Sequence, residues 1–182
     1  MAESFARATK GNCNIILIGR NRAAAESIIA SFPKPSATSY THEFVECDAS
    51  LVQNVHDTAG ALLQRLQKVN FLVLSTGVFQ ISGGHETAEG INAQFALMYH
   101  ARWTFTHDLM PLLNKAAEAG EDAKVMTVLA PGSPIGGPAD LNNLGMKNSW
   151  VGAMRVAPTY NDLMFEVRFA GFESQQRYAE VH

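Results

Sequence analysis

The chain has 182 residues, 47% of them hydrophobic and 17% charged, which suits a soluble domain with a sizeable core and excludes a disordered chain. A formal net charge of −3 gives no broad basic field, so neither nucleic acid nor an anionic membrane is an expected partner. No apolar run approaches the roughly 20 residues of a membrane span, and the amino terminus lacks a basic region followed by an apolar stretch and a cleavage site. Two cysteines, Cys13 and Cys47, would fall at opposite ends of neighbouring parallel strands, which argues against a disulfide and for a reducing compartment; a cytoplasmic location is expected.

Taken in order, Ala2 to Thr9 reads as the last turns of a helix stopped at Gly11. Asn14 to Gly19, NIILIG, reads as a buried strand. After the turn at Arg20 and Asn21, the spacing of Ala25, Ile28, Ile29 and Phe32 predicts a helix lying on a sheet, ended by Pro33 and Pro35. His42 to Cys47 is a second strand. Asp48 and Ser50 are candidate caps for a helix whose buried stripe is Val55, Ala59, Leu62, Leu63 and Leu66.

Phe71 to Leu74 is apolar on both faces, as a central parallel strand is, and ends in the small residues Ser75, Thr76 and Gly77. A long helix is expected from about Thr87 to about Asn114, then a fourth strand, Lys124 to Leu129. Ala130 to Asn148 carries three prolines and four glycines and reads as irregular; a last helix is expected from roughly Ala153 to Phe169. The alternation of short apolar runs with helical patterns predicts βαβ units and an α/β fold.

The order of these elements, with GRNR after one strand, CDAS after the next, LVLSTGV after the third and EGINAQFALMYHARWTFTHDLMPLL on a long helix, resembles the short-chain dehydrogenase/reductase family, and especially its divergent fungal members. The resemblance implies a Rossmann-like doubly wound parallel sheet holding NAD or NADP across the carboxyl ends of its strands. In that alignment Met1 falls inside the family's first helix, so the first strand with its glycine turn and the last strands are expected to be missing. No G-x-G-x-x-G occurs in the sequence. The domain assignment is therefore an incomplete NAD(P)-binding unit over residues 1–170 with a polar tail over 171–182. Without the first strand the sheet would lack its centre, leaving Asn14–Gly19 with His42–Cys47 on one side and Phe71–Leu74 with Lys124–Leu129 on the other. Open parallel edges of this kind imply marginal stability of the isolated chain, unless the sheet rearranges, a partner fills the gap or the chain is part of a longer product.

What the resemblance implies about sites follows residue by residue. Arg20, with Asn21, stands where an arginine accommodates the 2′-phosphate of NADP; the alternative reading is a solvated basic turn. Asp48, with Ala49, matches the position that contacts the adenine amino group, and an N-cap role is the alternative. Ser75 and Gly77 match the turn beneath the cofactor, or a close-packed strand end.

The catalytic positions are degenerate. The family's Asn position falls at Met98, and its Ser position falls near Leu129 or Ala130, leaving Ser133 as the nearest substitute. One register of the Tyr–Lys pair puts Val156 and Tyr160 in those places; the other seats Tyr160 as the tyrosine and Met164 where the lysine belongs. A tyrosine with the ordinary pKa of about 10 is ionised roughly once in a thousand molecules near pH 7, so without an ammonium beside it Tyr160 is a poor base.

The expected function is an NAD(P)-dependent oxidoreductase acting on a small carbonyl or alcohol, weak or inactive; the alternative is a non-catalytic binding or interaction protein, or an incomplete gene product. His100 and His107 lie two turns apart on the long helix and read as helix-face residues rather than metal ligands. The aromatic content of that helix, Phe95, Tyr99, Trp103 and Phe105, fits core packing or a homo-oligomer formed through it.

Overall fold

The computed structural model describes residues 1–77, 85–129, 142–143, 146 and 150–179, with residues 150–151 and 167–179 described by backbone alone. The chain falls into two compact units, Met1–Ala49 and Ser50–His182.

In the first unit, helix α1 (Ala2–Ala8) leads into strand β1 (Ile15–Gly19), helix α2 (Arg22–Ala30) and strand β2 (His42–Glu46). β1 and β2 form a parallel pair in the register Ile15 to His42 through Gly19 to Glu46. Such a pair needs a crossover of a dozen or more residues, and α2 supplies it. α2 begins where Asn21 accepts a hydrogen bond from the Ala24 N–H at 2.9 Å. Asn14 fixes the other end of the pair by accepting from the Thr41 N–H at 2.8 Å. Ala6, Ala25, Phe32, Cys47 and Ala49 are buried, and Phe32 meets the His42 ring edge-on at 5.1 Å. Neither cysteine is in a disulfide, and Cys13 lies 3.0 Å from the Thr9 hydroxyl.

The second unit starts with helix α3 (Val52–Arg65), strand β3 (Phe71–Leu74), the short helix α4 (Ala93–Phe95), a π-helical turn (Ala96–His100) and helix α5 (Ala101–Glu118). It continues with strand β4 (Lys124–Thr127) and helix α6 (Trp150–Ala179). β3 and β4 are parallel, Phe71 opposite Lys124 through Leu74 opposite Thr127. α3 packs on α5, burying Val55, Ala59 and Leu62 of one stripe and Phe105, Leu109, Leu112, Leu113 and Ala116 of the other. A smaller cluster joins Phe95 to Met146, Ala153, Val156 and Ala157.

Each unit holds one parallel pair, β1 with β2 in the first and β3 with β4 in the second, as the alignment anticipates. Four boundaries differ from expectation. The long helix begins at Ala93 and not near Thr87, because Thr87 to Gly90 forms a turn with Gly90 at φ +73 and Asn92 caps the helix through the Gln94 and Phe95 N–H groups. It also runs past Asn114 to Glu118. α3 has Leu51 at its cap position, and the Glu89 carboxylate takes the Val52 and Gln53 N–H groups at 2.7 and 2.9 Å. The backbone of α6 continues as helix beyond Phe169.

β3 is not covered on both faces. Phe71 and Val73 are each 44% exposed, and Met126 beside Val73 is 54% exposed, whereas Leu74 is buried. No described helix is long and apolar enough to cross a membrane.

Gly11 is the position where the backbone demands glycine. It closes α1 at φ +80, its N–H donating to the Ala6 carbonyl at 2.7 Å, and a Cβ there would overlap the Pro33 carbonyl oxygen. Gly120, at φ +74, has open space around it. Gly11→Ala is expected to lower stability by more than about 2 kcal/mol and Gly120→Ala by only about 1 kcal/mol, because the first adds a backbone clash to the left-handed penalty. Urea unfolding of the two variants beside the parent chain checks the difference.

Candidate functional site

The register of β1 and β2 sets Gly19 beside Glu46, so the residues after them emerge side by side at the carboxyl ends of the pair. Arg20 Nη1 lies 3.7 Å from Asp48 Oδ2, both side chains well exposed. Arg22 lies over the Phe44 ring at 4.9 Å and pairs with Glu46 at 3.5 Å and Glu26 at 3.7 Å. The structure therefore brings Arg20 and Asp48 together. The Asn21 side-chain oxygen is committed to capping α2, and Ala49 is buried. Exposed pairs of this kind contribute from nothing to about 1 kcal/mol, so a dianionic phosphate can replace Asp48 on Arg20 at small cost.

In the second unit Ser75, Thr76 and Gly77 follow β3, with Ser75 and Gly77 exposed. Tyr160 lies on α6 with its ring 5.0 Å from Tyr99 and 5.5 Å from Phe95. Its hydroxyl is buried, with no hydrogen-bond partner among the described residues. Val156 and Met164, the other residues of the two Tyr–Lys registers, are buried apolar side chains. Ser133 lies outside the described residues.

The π-helical turn is a feature that sequence reasoning missed. A turn of this type widens the helix and frees carbonyls from their usual partners. Here the Met98 carbonyl, at the family's Asn position, accepts from Asn161 Nδ2 at 2.9 Å. Asn161 is 1% exposed, and Nδ2 also donates to the Ala157 carbonyl at 2.7 Å. His100 Nε2, Tyr160 Oη and Asn161 Oδ1 are three buried polar atoms without partners among the described residues, carried by the π-helical turn and by α6. Buried polar groups are nearly always satisfied, so these atoms fit a polar ligand group or water.

Two groups here are shifted by their surroundings. Burial raises the Tyr99 hydroxyl above the ordinary tyrosine range, and neighbouring Tyr160 adds to the effect, so Tyr99 stays protonated. Burial pushes the His100 imidazole below the ordinary histidine value, against the opposing pull of Glu89. His100 is thus not a solvated helix-face residue: it packs edge-on to Phe95 at 5.1 Å. His107 is exposed and, with His56, contacts Asp108, at 2.9 and 2.5 Å. Among the described residues no group of three His, Cys, Asp or Glu could hold a metal ion.

Parallel strands joined by helical crossovers, with polar side chains gathered at the strands' carboxyl ends, define a Rossmann-like α/β protein. Its fold is that of the short-chain dehydrogenase/reductases. A metagenomic short-chain oxidoreductase solved in complex with NADP matches 94% of this chain and 71% of its own length at TM-score 0.57 and 18% identity. The NADH-dependent reductase A1-R′ responsible for alginate metabolism matches 95% of this chain and 67% of its own length at TM-score 0.66 and 11% identity. In sequence, the chain is 36% identical over 116 residues to Oxidoreductase AN1596 of Emericella nidulans, a match covering 64% of this chain and 33% of that protein. The chain thus spans about a third of the length of this curated relative. No protein-family model matches. The resemblance read from GRNR, CDAS, LVLSTGV and the long helix is borne out: the chain has the fold of the short-chain dehydrogenase/reductases and is similar in sequence to a curated oxidoreductase.

The lowered His100 value gives a pH dependence of known sign. Above the ordinary value of 6.5 the folded and unfolded states both hold a neutral ring; below it the unfolded ring protonates first, so stability is lost as the pH falls from 6.5 toward the folded value. His100→Gln is expected to flatten this part of the profile, as measured by urea midpoints at a series of pH values on either side of 6.5.

Proposed function

We propose that the chain is an NADP-preferring oxidoreductase of the short-chain type, acting on a small carbonyl or alcohol with weak turnover, in the cytoplasm. The observation that supports the cofactor preference most is Arg20 at the carboxyl end of β1, held among the described residues by an exposed 3.7 Å contact with Asp48. In this reading Arg20 receives the 2′-phosphate, Asp48 and Ala49 border the adenine, and Asn21 holds the helix start beneath them. Ser75 and Gly77 keep the family's cofactor-turn positions, and the bound cofactor supplies the hydride chemistry. The fit is partial, because the sequence contains no G-x-G-x-x-G to let a backbone approach the pyrophosphate. Tyr160 donates a proton or a hydrogen bond to the substrate oxygen, with no neighbouring ammonium among the described residues to make it an effective base.

That last point supports a second reading, a non-catalytic binding protein that keeps the fold without the proton chemistry. A homo-oligomer formed through α5 belongs to either reading; the half-buried Trp103 and exposed His107 on that helix support it. Sedimentation of the purified chain measures it.

Titration of NADPH and NADH into the chain, followed by fluorescence, separates the readings. Saturable NADPH binding that weakens about tenfold or more in Arg20→Ala, with NADH little affected, is expected for a 2′-phosphate contact worth about 1.5–3 kcal/mol. Where turnover of a small carbonyl is measurable, Tyr160→Phe should lower kcat/KM by about 10² or more. NADPH binding without turnover favours the second reading; failure to bind at millimolar NADPH rejects the first.

A further inference from the structure

Arg102 is the most unusual charge in the described part of the molecule. It lies on α5 in the stripe of Ala101, Phe105 and Leu109, and it is 5% exposed. Its guanidinium reaches the carboxyl ends of both strands of the β3–β4 pair. Nε and Nη2 donate to the Thr76 carbonyl at 3.2 and 2.6 Å, and Nη1 donates to Thr127 Oγ1 at 2.5 Å and to the Val128 carbonyl at 3.0 Å. Each of these acceptors is neutral, and among the described residues no carboxylate pairs with the group. Burial pushes its pKa below the ordinary arginine value, the sign of a charge whose desolvation is not matched by an opposite charge.

The donor count leaves something over. A guanidinium carries five N–H groups, and the four hydrogen bonds above use four, leaving one on Nη2. Two neighbouring features open onto it. Gly77 is exposed, and a Cβ built on it would find Arg102 Nη2 at 3.8 Å as its only near atom among those described, so the missing side chain leaves a way in to that nitrogen. Beside it, Thr76 Oγ1 is buried, has no hydrogen-bond partner among the described residues and is able to donate. Carboxyl ends of parallel strands are where α/β proteins take their ligands.

We infer that Arg102, Thr76 and Gly77 form an oxyanion site at the carboxyl ends of β3 and β4, taking a carboxylate or phosphate oxygen between Arg102 Nη2 and Thr76 Oγ1. The bound anion supplies the counter-charge the guanidinium lacks. The site goes beyond the proposed cofactor preference and shares only Gly77 with it, so a small substrate bearing a carboxylate and a phosphate of a dinucleotide are both candidates for the anion.

The test uses the full chain with Arg20→Ala, which removes the other arginine proposed to meet phosphate. Sodium phosphate and sodium acetate are titrated calorimetrically at constant ionic strength maintained with sodium chloride. Saturable binding of one of them is expected, weakened tenfold or more by Gly77→Val with the unfolding midpoint unchanged. The backbone at Gly77 is not in the left-handed region, so valine is tolerated there while shielding Nη2. Arg102→Lys, which keeps the charge but loses the fork, is expected to bind more weakly than arginine, and Arg102→Met not at all.

No saturable binding of either anion, or a Gly77→Val variant that binds as tightly as its parent, overturns the site even if the arginine variants fail to fold. The source of the anion is read with Arg20 restored. Displacement of phosphate by NADPH, lost in Gly77→Val, assigns the site to the dinucleotide. Acetate binding lost in Gly77→Val with NADPH binding intact assigns it to a substrate. Anion binding in a chain that never binds NADPH keeps the site and rejects the cofactor reading; NADPH binding with no anion effect does the reverse.

Discussion

One buried guanidinium carries much of the organisation of the second unit. Two parallel strands of four residues each are too few to persist alone in water, and an isolated two-stranded ribbon is marginal even when antiparallel. α5 covers one face of the pair, but apolar packing by itself leaves strands free to slide. Arg102 removes that freedom by accepting the geometry of three fixed oxygens at once, one on the turn after β3 and two at the end of β4. The planar fork makes this a positional constraint as well as an attraction, since the donors hold fixed angles to one another. Its cost is a charge taken out of water, and neutral oxygens offset that only in part.

The π-helical turn works on the other end of the same helix. It separates α4 from α5 and lets Asn161 reach the Met98 carbonyl, so α6 is fixed to the helix by an amide. Around it the rings of Phe95, Tyr99, His100 and Tyr160 pack at 5.0–5.5 Å, an arrangement suited to excluding water. Polar atoms are thereby buried in an aromatic setting without being spent, and they remain open to a ligand.

The alternation of elements was legible because each strand and helix declared itself through short-range periodicity: NIILIG and FLVL are too apolar to be anything but strands, and the Val55, Ala59, Leu62 stripe admits only a helix. The family resemblance carried the site on the first unit, where Arg20 and Asp48 do meet. Long-range polar contacts left no local trace. Glu89 caps α3 from a turn 36 and 37 residues away, and nothing about Glu89 in sequence distinguishes it from a solvated acid. Arg102 did leave a signal, a cation set between Ala101 and Phe105 in an otherwise apolar stripe, but its meaning depends on where two strands end. The bare face of β3 was hidden for the same reason: an apolar residue states that burial is favourable, not that a covering layer is present.

The cap on α3 ties together two stretches that are otherwise far apart along the chain. Because a single carboxylate from the Thr87–Gly90 turn closes the first two amides of α3, the turn cannot swing away without leaving Val52 and Gln53 bare. The two therefore open as one cooperative element, and their amide protons exchange with solvent in step. Whatever draws that turn toward itself loosens the start of a helix that it need never touch.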